Sequence, residues 1–312
     1  KILDARATAA ALPWAGMLDA LQDILAAQRA GRARCPVRNR LDLGATPGAP
    51  DAGVLLTMPA TDGELAVVKV VTVHGSNPAQ QLPAVQAAVL VMDARTGQRL
   101  ALLDGEVVTE RRTAALSALA VRQLTGRSDW RSAHLQIIGA GAQARAHMEA
   151  FAACLGVDRL RVQTRSPASA APLMALAREH GLQAEYGDAA SLRTAELIVT
   201  ATSSSTPVMD DAVAEHAVIC AVGAFTARMA ELPPNLVRRA RCVVDTTDGC
   251  RTEAGDLLQA GVDWSLIPQL ADATPQPQDV PIIFKSVGSA LWDLAAARCW
   301  WQTAADRETA RS

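Results

Sequence analysis

The stretch Ile137-Ile138-Gly139-Ala140-Gly141-Ala142-Gln143-Ala144 constrains this chain more than any other. It is a G-x-G-x-x-A turn that directly follows an apolar strand and opens a helix. Gly139 permits the tight turn, Gly141 has no side chain to block a pyrophosphate, and Ala144 lets the helix approach the sheet. The amides at the helix start, at Ala142 and Gln143, then face the phosphates of a dinucleotide. A glycine turn that serves packing alone is the competing reading, and it would not require both flanking elements. The chain around and beyond the turn has the matching rhythm: strands over 134–138, 160–164, 196–200, 217–222 and 242–245, with helices over 142–155 and 168–180. Strand–helix alternation implies an α/β fold with a doubly wound parallel sheet of Rossmann type.

The first hundred residues read differently. An amphipathic helix spans 14–29, with Met17, Leu18, Leu21, Ile24 and Leu25 at helical spacing. β-like runs come next over 37–43, 54–58, 65–73 and 87–92, the last forming a hairpin with 98–103. Pro47, Gly48 and Pro50 mark a loop. This segment predicts a smaller α+β domain built on a mostly antiparallel sheet. Helical periodicity returns over 109–124, residues 125–129 read as a junction, and the Pro-rich 274–281 as a loop. A last helix over 290–305 carries Trp292, Trp300 and Trp301, too apolar for a free end. It is expected to pack on the N-terminal sheet or on a partner subunit.

Composition narrows the function classes. The chain has 312 residues, 50% of them apolar, with a formal net charge of −2. That is material for two domains, and it gives no electrostatic reason to bind nucleic acid or an acidic membrane surface. No run approaches the roughly 20 apolar residues of a membrane span, and charges at the start argue against a secretory signal. The six cysteines contain no C-x-x-C pair and read as small buried hydrophobes of a reducing compartment. The five histidines lack metal-ligand spacing. The expectation is a cytoplasmic protein without a metal.

Two groups of polar residues are candidates for binding. The second strand of the parallel sheet ends in Thr164-Arg165-Ser166, where NAD sites usually carry an acid. Arg165 suits a 2′-phosphate and the two hydroxyls offer donors, so NADPH is favoured, with NADH possible; a surface arginine is the alternative. Arg38, Lys69 and Arg112 each sit in apolar or β-forming surroundings. Lys69 interrupts Ala66-Val67-Val68-Lys69-Val70-Val71, which is costly without a counter-charge or a route to solvent. On an edge strand it would instead guard against aggregation, and composition does not choose.

These residues fall in segments that resemble the ornithine cyclodeaminase/mu-crystallin family. The matching segments are Pro36-Val37-Arg38, Val68-Lys69-Val70-Val71-Thr72, Leu103-Asp104-Gly105, Arg111-Arg112-Thr113-Ala114-Ala115 and the glycine turn. They continue with Ala221-Val222-Gly223-Ala224, Glu253-Ala254-Gly255-Asp256 and Phe284-Lys285-Ser286-Val287-Gly288. The resemblance implies a homodimer. Its substrate-binding and dimerisation domain would take residues 1–116 and 291–312, and its dinucleotide-binding Rossmann domain residues 117–290. It further implies that Arg38, Lys69 and Arg112 hold a substrate carboxylate beside the nicotinamide, with Arg112 touching both ligands. The segments around Gln143, Thr202, Val222, Gly223 and Ser286 would line the cofactor.

One departure matters. Ornithine cyclodeaminases carry an acid/base aspartate just after the Val-Gly-Gly-like stretch, and here Phe225 stands in its place. The resemblance is therefore strongest to the ketimine reductases, which reduce Δ1-pyrroline-2-carboxylate and Δ1-piperideine-2-carboxylate to L-proline and L-pipecolate. Two alternatives stay open: a cyclodeaminase or amino-acid dehydrogenase whose acid comes from Glu231 or Asp245, and a non-catalytic protein that binds NADPH and a carboxylate. His74 reads as a loop histidine, Tyr186 as no partner for a catalytic lysine, and Lys285 either as a neighbour of the cofactor or as a solvated loop residue.

Overall fold

A computed structural model of the chain describes residues 1–44 and 53–309; the loop expected at Pro47, Gly48 and Pro50 lies outside them. In chain order the elements are α1 (Ala5–Ala11), α2 (Trp14–Arg29), β1 (Asn39–Asp42), β2 (Val54–Thr61), β3 (Leu65–Val73), β4 (Val85–Asp93), β5 (Arg99–Asp104) and α3 (Gly105–Thr125). They continue as β6 (His134–Ile138), α4 (Ala142–Leu155), β7 (Arg159–Gln163), α5 (Pro167–Glu179), β8 (Gln183–Tyr186), β9 (Leu197–Thr200) and β10 (Val218–Ala221). The last are α6 (Pro234–Arg239), β11 (Arg241–Val244), α7 (Thr247–Glu253), α8 (Gly255–Ala260), β12 (Ile282–Lys285) and α9 (Ala290–Thr309). The chain divides into two compact units, Lys1–Arg112 with Ser289–Ser312, and Thr113–Gly288. The division falls inside α3, ahead of the polar connection 125–129. From 112 to 121 this helix is buried at every position.

The first unit is a five-stranded sheet in the order β1-β2-β3-β4-β5, antiparallel throughout. Period-2 alternation sends Leu65, Val67, Lys69 and Val71 of β3 to the buried face and leaves Val70 exposed. Helices α2 and α9 pack together, and α9 also covers β2 and β3. The tail thus returns to the N-terminal sheet of its own chain, with Trp292 and Trp300 buried. β3 lies between β2 and β4, so Lys69 is on an interior strand and the aggregation-guard reading is overturned.

The second unit is a seven-stranded parallel sheet, β11-β12-β10-β9-β6-β7-β8. Strands β9, β10 and β12 are buried at all four positions, the signature of a sheet covered on both faces. The order reverses at β6, which has β7 on one side and β9 on the other, so the crevice used by dinucleotides in such sheets opens at the C-terminal end of β6. Strands β8 and β12 and the short helices α1 and α6–α8 had no periodic signal, each having seven residues or fewer.

Candidate active site

In the second unit the glycine turn has the conformation its sequence demands. Gly139 takes φ +121°, and a Cβ there would sit 2.5 Å from the carbonyl oxygen of Ala201. Gly141 is the exposed N-cap of α4, with nothing within 4 Å of where a Cβ would lie. No side chain caps this helix, so the amides from Ala142 and Gln143 onward are left for an anion. Ala144 is fully buried, as close helix–sheet packing requires.

At the end of β7, Arg165 is exposed and Ser166 is the N-cap of α5, accepting from the Ser169 amide. The Thr164 hydroxyl donates to the Ser166 carbonyl at 2.6 Å, and the Tyr186 hydroxyl donates to the Thr164 carbonyl at 2.9 Å. Tyr186 therefore props the loop that presents Arg165. The hydroxyl hydrogen of Thr164 is engaged inside that loop, which leaves Arg165 as its cation-bearing arm.

The ends of β9 and β10 are tied together by Glu231, which the sequence offers only as an alternative acid. Glu231 is fully buried. Its Oε1 accepts from the amide and hydroxyl of Thr202, at 2.6 and 2.9 Å. Its Oε2 accepts from the Thr200 hydroxyl at 2.9 Å and from the amides of Gly223 and Ala224 at 2.7 and 3.1 Å. A Cβ on Gly223 would lie 2.2 Å from the Thr202 carbonyl oxygen, so this approach needs glycine. Thr202, Val222 and Gly223 are thus placed side by side at the C-terminal edge of the sheet, with Val222 donating to the Thr200 carbonyl at 3.0 Å.

Asp245, also fully buried, accepts from the Ser286 hydroxyl at 2.7 Å, the Gly288 amide at 2.9 Å and the Thr246 amide at 2.7 Å. Ser286 is consequently buried with its hydroxyl committed to Asp245. Lys285 is neither a solvated loop residue nor open to a ligand. It lies on β12 at 0% exposure and pairs with Asp256 at 2.9 Å, because an interior strand of a covered sheet offers a charge no route to water. Phe225 comes after β10 and is 38% exposed.

In the first unit the cations gather as expected, around a residue that was not anticipated. Asp293, on α9 and fully buried, receives Lys69 Nζ and Arg112 Nε at 3.3 Å each on the same oxygen, Oδ1. Lys69 Nζ also donates to Thr109 Oγ1 at 2.7 Å, and Thr109 passes its hydroxyl hydrogen to the Gly105 carbonyl. Arg38, half-buried just before β1, is near enough for its charge to act on Lys69. Burial is the main cause that brings the Lys69 ammonium down from 10.5 to about 8. Asp293 opposes that shift, while Arg112 and Arg38 add to it.

Lys69 and Arg112 share a single oxygen of Asp293, and the Arg38 charge acts on Lys69 as well. The Arg112 Nη1 is buried without a hydrogen-bond partner, and the third Lys69 proton has none among the described residues. Buried donors of this kind call for an anion. The arrangement fits a ligand carboxylate, with arginine giving orientation and lysine a point charge. The signal for Asp293 was present in Leu291-Trp292-Asp293-Leu294, a lone acid in an apolar helix. His74 packs its ring over Gly53 and its amide donates to the Ala84 carbonyl, a loop role.

Among the described residues no group of His, Cys, Asp or Glu has the arrangement of a metal site, and no helix is long and apolar enough to cross a membrane.

Delta(1)-pyrroline-2-carboxylate reductase 1 of Burkholderia multivorans is 41% identical over 310 residues, 98% of this chain and 97% of that protein. A Delta(1)-pyrroline-2-carboxylate/Delta(1)-piperideine-2-carboxylate reductase of Azospirillum brasilense is 40% identical over 313 residues, 99% of this chain and 96% of its own. Among solved structures, Thermococcus litoralis Delta(1)-pyrroline-2-carboxylate reductase in complex with NADH and L-proline matches with a TM-score of 0.83 at 26% identity. The match covers 99% of this chain and 95% of that one. The sequence model of the ornithine cyclodeaminase/mu-crystallin family matches residues 14–308, and the chain belongs to that family.

Proposed function

We propose that this protein reduces Δ1-pyrroline-2-carboxylate and Δ1-piperideine-2-carboxylate to L-proline and L-pipecolate with NADPH. The coarser part of this reading, an oxidoreductase that uses a nicotinamide cofactor on a cyclic imino acid, rests on reductase relatives about 40% identical over nearly the whole chain. The carrying observation in the structure is the cation cluster of Lys69 and Arg112 at Asp293, with Arg38 nearby and donors left over for a carboxylate.

A cyclic imine beside a carboxylate is an electrophile once its nitrogen is protonated. A bound reduced nicotinamide supplies the hydride. The chain then has to fix the acid group, exclude water and orient carbon 2. Arg38, Lys69 and Arg112 anchor the carboxylate. Gly139, Gly141, Ala142, Gln143 and Ala144 cradle the pyrophosphate, and Thr202, Val222, Gly223 and Ser286 form the strand ends along the cofactor. Arg112 serves both ligands in this reading. Exposed Arg165, on a loop held by Tyr186, Thr164 and Ser166, favours the 2′-phosphate of NADPH.

Glu231 and Asp245 do not fit the acid/base role that a cyclodeaminase or dehydrogenase would require. Both are fully buried, and each binds fixed backbone and hydroxyl donors with both of its carboxylate oxygens. Phe225 offers no proton either.

The sheet of the first unit supports a homodimer. Its outer face carries Pro59, Val68, Leu90 and Leu102 in register across four strands, and Val70, two positions along β3 from Val68, is 42% exposed. An apolar sheet face of this kind suits a second copy of the chain. The six cysteines stand as thiols, four of them buried, and suit a reducing compartment such as the cytoplasm.

Steady-state assays with both imine acids and both reduced cofactors test the reading. Oxidation of NADPH with formation of the cyclic amino acid is expected, with no ammonia released from ornithine and NAD. Failure of either imine to drive cofactor oxidation refutes it, and tight NADPH binding without turnover would point to the storage role.

A further inference from the structure

We propose that Lys69 protonates the imine nitrogen, so that one side chain both anchors the substrate carboxylate and supplies the proton of the reaction. The proposal rests on the ketimine reductase reading and names the proton source that reading lacks.

The substrate's own geometry brings the two tasks together. In a cyclic imine with a carboxylate on carbon 2, the nitrogen lone pair lies in the ring plane, on the same side as one carboxylate oxygen. A single donor that grips that oxygen also faces the nitrogen. Three donors compete for the place, and chemistry separates them. Arg38 and Arg112 carry guanidinium groups that do not release a proton in proteins. Lys69 does. Its Nζ already holds Thr109 Oγ1 at 2.7 Å and Asp293 Oδ1 at 3.3 Å, which fixes the ammonium and leaves its third proton for a ligand.

The charged and polar groups facing Lys69 are Arg38 ahead of β1, Thr109 and Arg112 on α3, and Asp293 on α9. Burial and the two guanidiniums make the ammonium a stronger acid than a surface lysine, with a pKa of about 8, while Asp293 keeps it from falling further. A general acid titrating near the working pH is the efficient kind. Asp293 is in this scheme a positioning residue that acts through Lys69.

The step balances. The in-plane lone pair of the imine nitrogen takes the proton from Lys69 Nζ, carbon 2 accepts the hydride from the reduced nicotinamide, and the C=N π pair becomes the lone pair of the amine nitrogen. The products are the cyclic amino acid, the oxidised cofactor and a neutral lysine, which regains its proton from solvent.

Lys69→Arg tests this because it keeps the charge and removes the transferable proton. Turnover of pyrroline-2-carboxylate at saturation should fall by about 10²–10⁴-fold, the usual worth of a general acid, while the KM for the imine changes far less. The wild-type profile of kcat/KM should stay high below about pH 8 and decline as pH rises through it, because the ammonium is the active form. That alkaline limb should vanish in Lys69→Arg. Unchanged NADPH binding certifies that the variant is folded. Should Lys69→Arg fail that check, Asp293→Asn decides instead, since losing the carboxylate should move the alkaline limb to lower pH. A Lys69→Arg enzyme with wild-type turnover, or an Asp293→Asn enzyme whose limb stays in place, overturns the proposal and leaves the reductase reading intact. A wild-type enzyme inert toward the imine would instead sink the reading beneath it.

Discussion

Asp256→Asn separates two jobs done by one buried carboxylate. Oδ1 of Asp256 accepts the amides of Glu231 and Leu232 at 2.6 and 2.9 Å, and Oδ2 faces Lys285 Nζ at 2.9 Å. Asparagine retains the carbonyl oxygen for the two amides and turns its NH2 toward the ammonium. Both partners have no side-chain exposure, so Lys285 would be left as an uncompensated buried charge. Breaking such a pair from one side costs about 3–5 kcal/mol, whereas removing both charges is often close to neutral. Asp256→Asn/Lys285→Met should therefore recover most of the loss, with a coupling energy of roughly 2–4 kcal/mol between the sites. Urea unfolding followed by circular dichroism reads this directly. With m on the order of 2–3 kcal/mol/M, the single variant should lose about 1–2.5 M in its midpoint. Because asparagine keeps the acceptor that anchors the backbone of Glu231, NADPH affinity of the folded protein should change little in either variant. A single variant within about 1 kcal/mol of wild type, or a double variant no better than the single, would refute the argument.

Three further substitutions probe the other parts of the account. Arg165→Ala removes a charge-assisted contact worth about 1.5–3 kcal/mol and should raise the KM for NADPH by roughly 10–100-fold, leaving NADH nearly unaffected; an equal effect on both cofactors would discredit the phosphate assignment. Gly223→Ala puts a methyl 2.2 Å from the Thr202 carbonyl oxygen and 2.4 Å from Glu231 Oε1. It should abolish nicotinamide binding as measured by titration of the reduced cofactor's fluorescence, and wild-type affinity would show that the strand ends do not shape that site. Val70→Asp places a charge in the apolar outer face of the N-terminal sheet and should yield monomers by light scattering. A dimer of wild-type stability would move the subunit contact elsewhere.

The fold was legible in the sequence where periodicity is strong. Helix α2, strands β3 and β6 and helix α4 have the boundaries that their apolar spacing predicts. The glycine turn needed only local geometry, since a positive φ and a close backbone approach admit little but glycine. The cation trio was legible as three misplaced charges, and the family resemblance supplied their meaning. Their counter-ion was not, because Asp293 arrives from a helix more than 180 positions later in the chain than Arg112. Lys285 was misread for a related reason. Four residues with no alternation gave no sign of an interior strand, and without the strand the partner Asp256 had no visible function. Glu231 stands out in the sequence only as the acid of an alternative reading, since the five donors that converge on it become visible only in the tertiary structure.

The central claim is that positive side chains in the first unit grip the acid group of the substrate. Comparing reduction of Δ1-pyrroline-2-carboxylate with that of 2-methyl-1-pyrroline, the same ring without the acid, tests it most directly. Loss of two charged hydrogen bonds at about 1.5–3 kcal/mol each predicts kcat/KM lower by about 10²–10⁴-fold for the methyl compound, with Arg38→Ala eroding most of that preference. Comparable kcat/KM values for the two rings, or a preference that survives Arg38→Ala intact, would contradict it.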